Sequence, residues 1–144
     1  MEFLTEAARF LHSWMRWLFL IVTIIALAYF LIGLLGRRAW DKRGQTLLTI
    51  FSSLVGLQWL VGLLLLLVWG SQTGFGVRHY WEHLFAQTIA LLVAHLHFRW
   101  RRRTLPDTVR YRNGLLLIAV TLALVVVGIL ALPSGIQWRF YIPS

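Results

Sequence analysis

Long apolar runs alternate with short polar segments along the whole chain. Four runs contain no Asp, Glu, Lys or Arg, and they cover residues 17–36, 46–69, 84–98 and 115–132. An uncharged apolar run of about 18 residues or more predicts a transmembrane helix, because about 20 helical residues cross the hydrocarbon core of a bilayer. Three runs meet this criterion, and the run that begins at residue 84 is shorter but lengthens if residues 81–83, which include Glu82, are added. The pattern therefore predicts four membrane-spanning helices.

The four predicted spans leave no room for a soluble domain. We expect a single transmembrane domain over residues 1–144, all-α in class and folded as an antiparallel four-helix bundle. The spans are expected at about 11–36, 46–69, 81–98 and 114–132. The glycine-rich stretch 70–76 predicts the loop between the second and third spans, and Asn113–Gly114 predicts the start of the last span.

Ten of the fourteen Lys and Arg residues lie in two short loops that follow the first and third runs. They are Arg37, Arg38, Lys42 and Arg43 in one loop and Arg99, Arg101, Arg102, Arg103, Arg110 and Arg112 in the other. Because cytoplasmic loops carry an excess of basic residues, we expect a multi-pass protein of the inner (plasma) membrane with both basic loops cytoplasmic and both termini outside. The net charge of +9 is then a topology signal with attraction for anionic lipid, and nucleic acid is not an expected partner.

The histidines are the candidate ligands in this chain. His12 and His83 begin two different spans at the same predicted depth, and each lies on a stripe of polar and small residues. Two neutral imidazoles that face each other from separate helices are suited to ligate one haem iron. His79 is a reserve ligand one turn before His83, whereas His95 and His97 are interpreted as residues of the cytoplasmic interface. A solvated or hydrogen-bonded role for His12 and His83 stays open.

Two amphipathic stripes support the choice of these histidines. At 100° per residue, one face of the first span and one face of the third span collect polar, small and aromatic side chains that are poorly suited to contact lipid. The stripe on the first span is His12, Arg16, Phe19, Thr23, Ala26 and Phe30, and the stripe on the third is His79, His83, Gln87, Ala90, Ala94 and His97. Both stripes are expected to face the interior of the bundle.

The chain contains no cysteine, which excludes disulfides, iron–sulfur clusters and covalent haem attachment. Any haem must therefore be held non-covalently. Beside it, Arg16 is a candidate partner of a propionate or a side chain that extends to the lipid headgroups. Gln87 is a candidate donor to a quinone carbonyl or to a neighbouring helix, and Glu82 is a candidate acceptor from a ligating imidazole, a proton acceptor from quinol, or an exposed carboxylate with neither role.

Short motifs across nearly the whole chain resemble a known family. They are the segment 12–17 (HSWMRW), Gln58 with Gly62, the pair Glu82–His83, and Tyr111–Arg112 after the basic loop. Together they resemble the small bacterial four-helix membrane proteins that are described as cytochrome-b-like. The resemblance implies a four-helix bundle with one haem b and a role in membrane electron transfer, with quinone as a candidate partner. The family's histidine before the first span falls on His12, and its Glu–His pair falls on Glu82–His83.

One position departs from the family pattern. Family members often carry a histidine in the second span just before the glutamine, and this chain has Gly56 there. The chain therefore offers ligands for one haem rather than for a two-haem path across the membrane.

Two functions remain open at this stage. The first is an electron-transfer component with one haem b rather than a stand-alone enzyme. The second is a cofactor-free structural or pigment-binding subunit of a larger respiratory or photosynthetic complex. Both imply the lipid bilayer, together with other membrane subunits or further copies of the chain, as partners. A proton-coupled carrier is disfavoured, because no predicted span contains an acidic residue near its centre.

Overall fold

The computed structural model describes residues 2–139 and 141–142, and this part of the chain is helical without any strand. The helices are α1 (Glu2–Leu35), α2 (Lys42–Thr73), α3 (Arg78–His95), α4 (His97–Trp100) and α5 (Asp107–Leu130). By length and composition, α1, α2 and α5 could each cross a membrane, whereas α3, with 18 residues, is not among the candidates. The predicted all-α class is confirmed, and the structure is that of a chain with at least three apolar helices long enough to span a bilayer.

The four long helices surround a common core. α1 packs against α2 and α5, and α3 packs against the same two helices. The stripe predicted on the first span faces inward, since Phe19, Thr23, Ala26 and Phe30 are at most 3% exposed. Buried residues of the other helices complete the core, and they include Leu48, Phe51 and Val55 of α2, Ala90 and Ala94 of α3, and Tyr111, Leu117, Ile118, Val125 and Ile129 of α5.

The helices extend beyond the predicted spans, and two glycines that were expected at turns lie inside helices, where they pack against aromatic rings. α2 continues through Gly70 to Thr73, and the ring of Phe75 folds back into the space where a side chain at Gly70 would lie. α5 begins at Asp107, so Gly114 lies inside the helix, where the ring of Phe30 occupies the corresponding space. The predicted loop at 70–76 is therefore shortened to residues 74–77, and the helix that carries the last predicted span begins at Asp107, seven residues before Gly114. α1 likewise begins at Glu2 rather than near residue 11.

The third predicted span is interrupted. α3 ends at His95, and the Leu96 N–H donates to the Val93 carbonyl in a tighter turn before α4 begins at His97. His97 is fully buried, as are Ala90 and Ala94 on the same predicted stripe.

The connection between α1 and α2 is held by Asp41. Its carboxylate accepts hydrogen bonds from the Tyr29 hydroxyl at 2.5 Å and from the Gly44 N–H at 3.2 Å. The second bond caps the first turn of α2, which otherwise has unpaired N–H groups. The hydrogen bond from Tyr29 is the main cause that holds the pKa of the Asp41 carboxyl below its usual value.

We expect Gly114→Ala to destabilise the protein by about 1–2 kcal/mol, because overpacking a core costs about 1–3 kcal/mol and the better helix propensity of alanine offsets part of that. A Cβ atom at this position would overlap the ring of Phe30. Gly135→Ala is the matched control, since a Cβ atom there meets nothing within 4 Å. The free energies of unfolding of the two variants, measured in detergent, should differ by this amount. Equal values would contradict the packing role of Gly114.

We expect acid to remove the contribution of Asp41. A carboxyl with a lower pKa in the folded protein stabilises fully above its ordinary pKa of about 3.9, and this stabilisation is lost as the pH falls through the lower folded value. Asp41→Asn should therefore lower the melting temperature at neutral pH and flatten its decline below about pH 4. Melting curves of both proteins in one detergent across this range provide the measurement, and parallel declines would contradict the prediction.

Candidate functional site

One cavity of about 640 Å³ lies where α1 and α3 begin and where α2 and α5 end. This volume falls within the range of about 300–1,000 Å³ that is typical of small-molecule sites. All four predicted site residues line the cavity, namely His12, Arg16, His83 and Gln87. The structure therefore brings together side chains that are up to 75 positions apart in the sequence.

His12 and His83 form a pair across this cavity. Their ring centres are 6.4 Å apart, and the ring planes meet at 77°. A metal ion held between two imidazoles places their centres about 6 Å apart, because each metal–nitrogen bond is about 2 Å long. The distance between the two ring centres is close to that value.

His83 is oriented by a hydrogen bond at the end of α5. Its Nδ1 atom lies 2.7 Å from the carbonyl oxygen of Gly128. Gly128 belongs to the last turn of α5, where carbonyl groups lack the usual intrahelical donor, and the Leu132 N–H donates to Ile129 instead. Since a carbonyl can only accept, Nδ1 carries the proton and Nε2 keeps its lone pair. Metal-bound histidines commonly use this arrangement to fix the ring.

His12 has a different partner. The Nε2 atom of Gln58 donates to the backbone carbonyl of His12 at 2.9 Å and lies 3.2 Å from the Nδ1 atom of its ring. When Nδ1 accepts this bond, the proton of the neutral ring lies on Nε2. A half-turn of the Gln58 amide would present Oε1 to Nδ1 and release Nε2 for a metal. That rotation would break the bond from Nε2 to the His12 carbonyl and place Oε1 beside this oxygen, so the described contacts favour the ring with its proton on Nε2. The Oε1 atom is buried without a hydrogen-bond partner in the described part of the chain.

Gly62 allows His12 to approach α2. A Cβ atom at position 62 would lie 3.0 Å from Cε1 of His12 and 3.3 Å from its Nδ1. Gly128 has the corresponding role on α5, where the side chain of Gln87 fills the space beside it. A glycine on a neighbouring helix therefore leaves room for His12 in one case and for Gln87 in the other.

The other predicted site residues have partners within the protein. Gln87 donates through Nε2 to the carbonyl of Val125 at 3.1 Å, which is the bond to a neighbouring helix that the sequence left open. Glu82 forms an exposed ion pair with Arg78 at 2.6 Å and does not line the cavity. Glu82 is consequently not positioned to orient His83.

The remaining histidines lie outside the cavity. The ring of His79 packs on Tyr80 with its centre 4.3 Å away, and His95 Nδ1 lies 2.8 Å from the Leu91 carbonyl. His97 is fully buried, with Nδ1 3.1 Å from Gln45 Nε2 and Nε2 3.0 Å from Ser52 Oγ. The interpretation of His97 as an interface residue is wrong, because its ring is buried and contacts Gln45 and Ser52 of α2, in agreement with its position on the inward stripe.

No group of three or more His, Cys, Asp or Glu side chains is assembled for a metal ion among the described residues. A simple ion site of that kind is thus absent from this part of the chain. A metal macrocycle has a smaller requirement, because it supplies four equatorial ligands itself and needs only one or two axial ligands from the protein. His12 and His83 are the two histidines that line the cavity.

Comparison with known proteins gave no match to a family model, to a curated protein or to a solved structure. Function is therefore inferred from the residues of the cavity.

We expect His97→Ala to destabilise the protein by about 2–3 kcal/mol, since it leaves buried polar groups of Gln45 and Ser52 without their partner. His95→Ala removes a half-buried ring whose described hydrogen bond is to the Leu91 carbonyl of the same helix. It should lower the free energy of unfolding by less than half of that amount. Unfolding of the two variants in detergent measures the difference between their free energies of unfolding. Similar losses in both would show that the hydrogen bonds of His97 contribute little.

Proposed function

We propose that this chain is an integral membrane cytochrome that holds one non-covalent haem b between His12 and His83 and transfers electrons. The observation that carries the proposal is the pair of imidazoles 6.4 Å apart across a cavity of about 640 Å³. The cytochrome-b-like resemblance of the sequence is consistent with the same function.

The side chains that line the cavity are suited to hold haem b. His83 presents Nε2 while Nδ1 is held by Gly128, whereas His12 would have to exchange its hydrogen bonds with Gln58 before its Nε2 could bind a metal. Leucine, valine and tryptophan side chains supply apolar walls for a flat ring, among them Val55, Trp59, Leu65, Leu66, Leu84 and Val125. When bound, haem b would supply a one-electron couple, and the protein would contribute the axial ligands and a largely apolar surrounding.

The proposal includes an orientation in the membrane. We infer an antiparallel bundle with both basic loops in the cytoplasm and both termini outside, in the inner membrane. The cavity is lined by the starts of α1 and α3 and by the ends of α2 and α5, which supports alternating directions of the long helices. The ten basic residues of the two loops support the cytoplasmic side. The haem would then lie near the outer surface, within reach of an external redox partner.

A quinone is the membrane-soluble redox partner that this role suggests. Gln87, the residue proposed from the sequence to bind it, already donates to Val125. We therefore assign no quinone-binding residue, and the proposal keeps quinone and other membrane subunits as candidate partners.

The alternative function is a structural or pigment-binding subunit of a larger membrane complex. It is favoured by the hydrogen bonds that both histidines already make, because His83 completes the end of α5 and His12 joins α1 to Gln58 of α2. In that case the two rings connect helices and need no iron.

Optical spectra of the purified chain separate the two functions. We expect the protein from haem-supplied cells to show the reduced α and Soret bands of a low-spin haem with two imidazole ligands. His12→Ala and His83→Ala should each abolish this spectrum, whereas His79→Ala and His95→Ala, which change histidines outside the cavity, should preserve it. A colourless wild-type protein, or a spectrum that survives both ligand substitutions, would refute the proposal.

A further inference from the structure

Three arginines line the cavity, and none of the described residues that line it is acidic. The arginines are Arg9, Arg16 and Arg139, and we refer to them as the arginine cluster. The only ion pair in the described part of the chain joins Arg78 to Glu82, which lie outside the cavity. The positive charge of the cluster is therefore not neutralised by carboxylates of the cavity wall, and this favours a ligand that brings its own negative charge.

Arg16 retains an unused donor inside the protein. Its Nη2 atom donates to the backbone carbonyl of Arg139 at 2.6 Å, while its Nε atom is buried without a hydrogen-bond partner among the described residues. Buried polar atoms nearly always have a partner. A ligand with an acidic oxygen in the cavity would supply one, and such charge-assisted bonds are stronger than bonds between neutral groups.

Arg139 reaches the cavity through the segment that follows α5. We call residues 131–139 and 141–142 the C-terminal strap. Ser13 fastens the strap to α1, since its Oγ atom donates to the Arg139 carbonyl at 3.3 Å and accepts from the Tyr141 N–H at 3.0 Å. Ser13 itself is buried. The strap is thus attached to the same helix that carries His12 and Arg16.

The beginning of the strap is also fixed. Gln137 donates through Nε2 to the carbonyls of Leu130 and Leu132 at the end of α5. Trp138 has a φ of 54°, a left-handed conformation that a bulky side chain rarely adopts and that surrounding contacts must hold. This residue turns the chain back toward α1, and the side chains of Ile136 and Tyr141 join the cavity wall.

We propose that the C-terminal strap completes an anion-binding site, in which Arg9, Arg16 and Arg139 hold the acidic side arms of the cavity ligand. The inference rests on the proposed function, because it identifies those arms as the two propionates of haem b. The strap closes the cavity and supplies the third arginine. The histidines would hold the metal of the ligand, and the arginine cluster would hold its acidic arms.

The positions along α1 agree with this division of roles. Arg9 lies about one turn before His12 and Arg16 about one turn after it, so both are on the face that carries the histidine. Arg78 shows the contrasting environment at the same end of the molecule: its side chain is 90% exposed, paired with Glu82 and outside the cavity. It is therefore the matched control for a charge effect that is independent of the ligand.

The test compares haem b with its dimethyl ester, in which both propionates are neutral. Apoprotein in a neutral detergent is titrated with each ligand, and the low-spin spectrum reports binding. We expect the wild-type protein to bind haem about tenfold more tightly than the ester, since each partly exposed charge pair contributes a factor of up to about five. The double substitution Arg9→Gln with Arg139→Gln should reduce this preference to about threefold or less by weakening haem binding alone. Arg78→Gln should leave the preference unchanged.

A second measurement addresses the strap. Ser13→Ala removes the side chain that accepts from Tyr141 and donates to Arg139, so haem should transfer from this variant to a high-affinity acceptor protein several-fold faster than from the wild type. Equal wild-type affinity for haem and ester, or an equal loss of both ligands in the arginine variant, would overturn the anion-binding site while leaving histidine ligation intact. Absence of a low-spin spectrum with either ligand would overturn the proposed function and this inference together.

Discussion

Polar groups buried between apolar helices must find their partners inside the protein, and this constraint organises the molecule. Where a helix contacts lipid, no water replaces a missing hydrogen bond. The Nε1 atom of Trp59 therefore donates to Thr88 across α2 and α3, and His83 satisfies the free carbonyl of Gly128 at the end of α5. Each such bond fixes the register of two helices. The side chains that line the cavity are positioned by the same bonds that hold the helices together.

Glycines determine how closely the helices approach and where space remains. Rings of Phe30 and Phe75 occupy the positions beside Gly114 and Gly70, so these contacts are filled. Beside Gly62, the ring that enters is His12, and it borders an open cavity rather than a packed core. A glycine opposite an aromatic ring therefore gives close packing at Gly70 and Gly114. At Gly62 it makes room for the candidate ligand His12.

The two ends of the molecule differ for a physical reason. At the end with the basic loops, Phe30, Trp40 and Tyr111 pack ring against ring, and His97 is enclosed by Gln45 and Ser52. At the opposite end, arginine and histidine side chains line a cavity of about 640 Å³. Charged and ionisable groups are costly to bury without partners. Their concentration around one cavity is what makes that end the candidate site for an anionic ligand.

The sequence alone determined the helical class, the approximate positions of three apolar helices and the inward stripe of α1, because these follow from composition and helical period. It also identified His12 and His83 as a pair. Tertiary structure decided the rest. Gly70 and Gly114 lie inside helices, with the rings of Phe75 and Phe30 in the space beside them, and the buried ring of His97 contacts Gln45 and Ser52 of α2. Gln58, Gly128 and Arg139 enter the site through contacts between segments distant in sequence, and no local pattern specifies such contacts.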